Sequence, residues 1–150
     1  MIRAAVLFAI LALPVLAQGL PPPVSLLSQT VWREDLPGFG GFSGLMVAPG
    51  GESFLAVTDR GVLARARLER NGSGLVTGIA LERFEPLVTP LGRPLGRYAT
   101  DAEDLAPGED GGLYISFEGE HRLRWYPAPH ARPRPRPGHP DFAGLQTNSG

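Results

Sequence analysis

Cysteine and lysine are both absent from this chain of 150 residues. Without cysteine there is no disulfide scaffold, no thiolate zinc site and no cysteine nucleophile. Without lysine every cation is an arginine, and 14 Arg against 15 Asp plus Glu leave a formal net charge of −1. So small a charge exerts no whole-molecule pull on nucleic acid or anionic lipid. Several catalytic signatures are missing too. There is no Arg-His-Gly, no Gly-rich loop ending in Gly-Lys-Ser/Thr, and no H-x-x-x-H or H-E-x-x-H pairing for zinc. His121, His130 and His139 stand nine apart in a Pro-rich region and form no such motif. What the chain has in excess is 20 Gly and 16 Pro, about 24% of its residues against a usual ~12%. Both are poor in helix interiors, which argues against a helical bundle.

The first segment reads as an address. Arg3 precedes an apolar run from Ala4 to Leu13, Pro14 breaks it, and Val15 and Ala17 are small residues at the −3 and −1 positions of a cleavage site. The run is shorter than the ~20 residues a membrane span takes. It therefore predicts a signal peptide over residues 1–17, and cleavage would leave 133 residues with a charge of −2. No later run could span a bilayer, so the expected product is periplasmic or extracellular with no stable membrane span.

Beyond a Pro-rich lead, alternating segments separated by turn signals predict antiparallel β-structure. Ser43–Pro49 runs through Gly50-Gly51 into Ser53–Asp59, Arg60-Gly61 turns into Val62–Glu69, and Asn71-Gly72 turns into Leu75–Leu87. The order then repeats. Asp101–Ala106 is followed by a turn, then Leu113–Glu118, a turn, and Arg122–Ala128. Ser53–Asp59 superposes on Gly112–Glu118 at an offset of 59, and Gly44-Leu45 corresponds to Asp104-Leu105. A strand-built repeat of this length suggests an all-β fold of propeller blades, four strands each. Asn148-Ser149-Gly150 resembles the start of a third copy, so residues 18–150 are expected to be about two blades of a longer propeller. The competing expectation is a small β-sandwich with a duplicated hairpin. Residues 127–140 are too rich in Pro for a strand and predict an extended Pro/Arg-rich loop.

The acids are unevenly placed. Seven of the 15 fall between residues 101 and 120. Asp59 and Glu118 end equivalent strands, and Asp101 and Glu103 share a face at the start of another, because strand side chains alternate. Hard cations such as Ca²⁺ take six to eight oxygen ligands, so these four are the candidate metal ligands. Glu109 and Asp110 sit in a Gly-rich turn and read as solvated. Arg60, next to Asp59, could clamp a phosphate or carboxylate in bidentate fashion, or simply pair with Asp59 or Glu118. Ser43 in Gly-Phe-Ser-Gly-Leu fails the nucleophile-elbow pattern, because Leu45 replaces the final Gly and the segment opens a strand.

Phe-Ser-Gly-Leu at 42–45, Thr-Asp-Arg-Gly at 58–61, Asp-Ala-Glu-Asp-Leu at 101–105, Phe-Glu-Gly at 117–119 and Asn-Ser-Gly at 148–150 together resemble the phytase-like family. Its members are secreted bacterial β-propellers, also described by an esterase-like activity of phytase. Thr58 stands where Ser is usual, and Asp104 where Gly is usual. The resemblance implies hydrolysis of a small-molecule phosphate ester or carboxylate ester, with Ca²⁺ as the implied cofactor. It carries Asp59, Arg60, Asp101, Glu103 and Glu118 over as the polar positions of the matched motifs. Asp59, Asp101, Glu103 and Glu118 are then the metal set, and Arg60 and Glu103 the catalytic pair. A one-metal lactonase or esterase fits the same residues. So does a non-catalytic binding propeller of the cell envelope whose acids serve only structure.

Overall fold

The computed structural model describes residues 24–108, 111–118, 120–135 and 140. The signal-peptide segment 1–17, Glu109 and Asp110, His139 and the 148–150 motif lie outside the described residues. The described chain is all β, in two antiparallel sheets of four strands each, and each sheet follows chain order. The first holds β1 (Phe42–Val47), β2 (Ser53–Thr58), β3 (Val62–Arg70) and β4 (Val76–Pro86). The second holds β5 (Ala102–Pro107), β6 (Leu113–Phe117), β7 (Arg122–Tyr126) and the two-residue β8 (Arg134–Pro135). No helix among the described residues is long and apolar enough to cross a membrane.

Turn chemistry sets the strand ends. Gly61, at φ +67, closes the β2–β3 turn with its N–H on the Thr58 carbonyl at 2.9 Å. A side chain there would press on the Thr100 carbonyl, so the turn also accepts the chain arriving from the long link. At the β3–β4 hairpin the Asn71 carboxamide oxygen accepts the N–H groups of Ser73 and Leu75. The Asn-Gly-Ser run is thus a side-chain-stabilised turn. The Pro/Arg-rich stretch departs from its expectation at one point. Arg134 and Pro135 pair with Trp125 and Arg124 as a short outer strand. Proline lacks a donor but is tolerated on an edge strand, where one side of the ladder goes unused.

β1 of the first sheet lies against β5 of the second, and the shared core sits between the sheets. Leu55, Val57 and Leu63 meet Leu105, Leu113, Ile115, Phe117 and Tyr126 there, with Leu87 from the link. Gly44 permits this approach, because a Cβ on it would stand 2.8 Å from the Asp104 Cα. The opposite face of the first sheet has its own cluster, Phe54, Ala56, Ala64 and Ala66. The lead segment partly covers it. Trp32 stacks on Phe42 at 5.0 Å and meets Phe39 and Phe54 edge-on.

Candidate functional site

The strand register makes the repeat explicit. Phe42 pairs with Thr58 and Gly44 with Val57, so Ser43 is the extra residue of a β-bulge. Ala102 pairs with Phe117 and Asp104 with Ser116, so Glu103 is the bulge residue of the second sheet. Each pair is closed one step further out by the same bond. The Asp59 N–H donates to the Gly41 carbonyl at 2.9 Å, and the Glu118 N–H donates to the Asp101 carbonyl at 2.9 Å. Three places therefore correspond: Gly41 with Asp101, Ser43 with Glu103, Asp59 with Glu118. In the second sheet all three are acids.

A bulge re-aims a side chain that strict alternation would fix. Here it brings Asp101, Glu103 and Glu118 together, with one carboxylate oxygen of each within 4.8 Å of the others. Glu103 is exposed and its two companions are half-buried. Three like charges this close resist ionising together. Desolvation, slight as it is, comes first in holding the Glu103 carboxyl above the ordinary carboxylate range, followed by the charges of Asp101 and Glu118. A hydrogen bond with Asp101 and the more remote charge of Asp59 act in the same direction.

The donor set fits a hard cation. Oxygens ligating one Ca²⁺ at about 2.3–2.6 Å stand at most about 4.6–5.2 Å apart, and the trio falls inside that span. Three carboxylates would leave the remaining oxygens to carbonyls and water.

Asp59 lies outside this group, near enough for its charge to act on Glu103, and Arg60 follows it in the chain. Asp59 is exposed, with its carboxylate over Gly41, where a Cβ would lie 2.3 Å from Oδ1. Gly41 is also held at φ +63, so the first sheet has no room for the acid that the second carries at the matching place. Arg60 donates from Nη1 to the Gly38 carbonyl at 3.3 Å, and its Nε lies 3.9 Å from Asp59 Oδ1. Both side chains are half or more exposed, so the ion pair is weak and the guanidinium remains open to an incoming anion.

Ser43 is the residue that sequence reasoning missed. Its hydroxyl donates to the Ala102 carbonyl at 2.5 Å, across the sheet junction and between the two acids in sequence. The signal that could have found it is the alignment of Phe-Ser-Gly-Leu with Ala-Glu-Asp-Leu, which places Ser43 on Glu103. His121 and His130 take no part in the acid group.

Two antiparallel four-stranded sheets, laid first strand against first strand with matching bulges, are consistent with consecutive blades of a propeller. The chain belongs to the phytase-like family, described as esterase-like activity of phytase, and residues 37–150 match the family model. No curated protein and no solved structure matches the chain significantly.

Proposed function

We propose that residues 18–150 form part of an exported β-propeller that binds Ca²⁺ through Asp101, Glu103 and Glu118 and hydrolyses a small phosphate ester or carboxylate ester. The observation that carries this reading is the convergence of the three carboxylates in the second sheet. Family membership supports the hydrolase class and the propeller. The segment over residues 1–17 supports export.

Bound Ca²⁺ would supply positive charge against an ester oxygen and lower the pKa of a water molecule. The chain's own residues have separate parts. Asp101 and Glu118 fix the site from half-buried positions at the ends of β5 and β6. Glu103, the exposed member of the trio, is the carboxylate most open to substrate and water, and to it we assign the uptake and return of a proton. Arg60 faces solvent next to Asp59, whose charge reaches Glu103, and from there it would hold the anionic group of a substrate and stabilise charge as it develops.

The test uses the full-length protein, with Ca²⁺ titrated calorimetrically and a panel of phosphate and carboxylate esters assayed with and without EGTA. Ca²⁺ binding that is lost in Glu103→Gln, with hydrolysis that EGTA abolishes, is the expected result. A melting temperature and a hydrolysis rate both indifferent to EGTA would remove the metal from the reading. Ca²⁺ binding without turnover of any ester would leave a binding propeller with structural acids.

A further inference from the structure

A second polar site lies away from the acids, between the link that follows β4 and the outer part of the second sheet. It is a cavity of about 90 Å³, lined in part by Thr89, Phe117, Glu120, Arg122, Arg124 and Tyr126. Liquid water takes about 30 Å³ per molecule, so the space admits a few waters or one tetrahedral anion.

Its polar lining sets two guanidiniums and a phenol against one carboxylate, Glu120, and the rest of the wall is mostly apolar. Tyr126 is 1% exposed, and its hydroxyl has no hydrogen-bond partner. Such groups are rare in folded proteins and call for an occupant. Burial pushes this phenol up to about 12, so it stays a protonated donor at neutral pH. The charges of Arg122 and Arg124 both act on it. Arg122 lies over the Phe117 ring at 4.0 Å, with its side chain only 13% exposed. It donates to the carbonyls of Glu120 and Ala99, which are neutral acceptors. The one carboxylate near it, Glu120, is 3.9 Å away and 65% exposed. Burial accordingly holds the Arg122 guanidinium below its ordinary value. Arg124 is half-buried and has no ion pair among the described residues.

We infer that this cavity binds a small oxyanion of the phosphate class, held by the Tyr126 hydroxyl and the Arg124 guanidinium with the charge of Arg122 behind them. Water could satisfy the hydroxyl, but it would leave two half-buried cations against a single exposed carboxylate. An anion answers both the missing acceptor and the missing charge. The site lies between the link and the second sheet, so its occupant would brace one against the other. Nothing in it depends on the acid trio.

The experiment is thermal unfolding of the full chain in EGTA, with inorganic phosphate titrated against sodium chloride of matched ionic strength. Phosphate line broadening in ³¹P NMR is followed in parallel. Phosphate is expected to raise the melting temperature saturably by a few degrees beyond the chloride control. Tyr126→Phe and Arg124→Gln should each cut that rise by at least half. Arg124→Gln alters a half-exposed side chain and keeps the assay usable if the buried variant folds poorly. An equal rise in both variants would overturn the assignment. So would a wild-type response no larger than that to chloride. A Tyr126→Phe loss of stability that is the same with and without phosphate would show that the cavity holds water only.

Discussion

Leu45 and Leu105 occupy the same place in the two sheets, yet Leu45 is 61% exposed and Leu105 only 5%. Their strand partners are equivalent as well, Ala56 for Leu45 and Ile115 for Leu105. The second sheet turns this face, with Ile115 and Phe117, into the shared core. The first sheet turns the same face outward, under Trp32 and beside an open apolar groove that reaches Leu45 and Val47. A similar contrast holds at the strand ends, where Gly41, Ser43 and Asp59 face Asp101, Glu103 and Glu118. One backbone pattern thus serves two purposes. The first copy grips its neighbour through Gly44 and Ser43, and the second gathers charge.

The largest effect should come from the leucine pair. Leu105→Ala is expected to cost about 2–5 kcal/mol in urea denaturation. Leu45→Ala should stay within about 0.5 kcal/mol. A comparable loss at Leu45 would mean that a further element seats on the outward face. The glycine position comes next. Gly44→Ala forces a Cβ into the Asp104 backbone and should cost about 1–3 kcal/mol. Asp104→Ala, at the matching exposed place, introduces no clash and loses only the carboxylate that accepts the Leu105 N–H, at a cost of about 1 kcal/mol or less by the same measurement.

Smaller effects test the acids. Without metal, Glu103→Gln should stabilise the protein at neutral pH. The folded-state pKa of Glu103 is raised, so its contribution is full below the unfolded value of about 4.5 and is lost as pH rises through the folded one. The gain should therefore vanish near pH 4 in a pH series of melting curves, and Ca²⁺ should reverse its sign at neutral pH. Ser43→Ala, at the equivalent bulge, should show no such pH dependence.

The smallest effect concerns the tether between the sheets. His130 follows β7 but reaches back to Glu85 of β4, with Nδ1 3.5 Å from the carboxylate. Burial, then the charge of Arg83, holds its pKa below 6.5, and Arg65 adds to this while Glu85 opposes. A depressed value means stability that is full above about 6.5 and lost as pH falls through the folded value. His130→Gln should flatten that slope, which stability measured across pH 5–7 will register.

Much of this architecture was legible as text. Turn residues and alternation marked the strands, and the 59-residue offset aligned Asp59 with Glu118. The offset is 60 at Phe42 and Ala102 but 59 at Thr58 and Phe117, because the intervening hairpin is one residue shorter in the second sheet. The bulges were not legible, since neither Ser43 nor Glu103 carries a residue signature that announces one. Nor was the cover that Trp32 lays over the first sheet, for a lone aromatic in a Pro-rich lead has no period to read. The outer pairing of Arg134–Pro135 escaped for a related reason, because edge strands relax the rule that excludes proline. Of the candidate residues, Asp101, Glu103 and Glu118 converge, while Asp59 lies outside the group and Arg60 contacts Asp59.

The bond from Ser43 to the Ala102 carbonyl has a mechanical consequence. Ala102 lies between Asp101 and Glu103, so whatever displaces that peptide carries both acids with it. Parting the two sheets and loosening the ligand cage are then a single motion. Anything that clasps the three acids would also latch the junction, and slower amide hydrogen exchange along β1 on adding calcium would record that linkage in the neighbouring sheet.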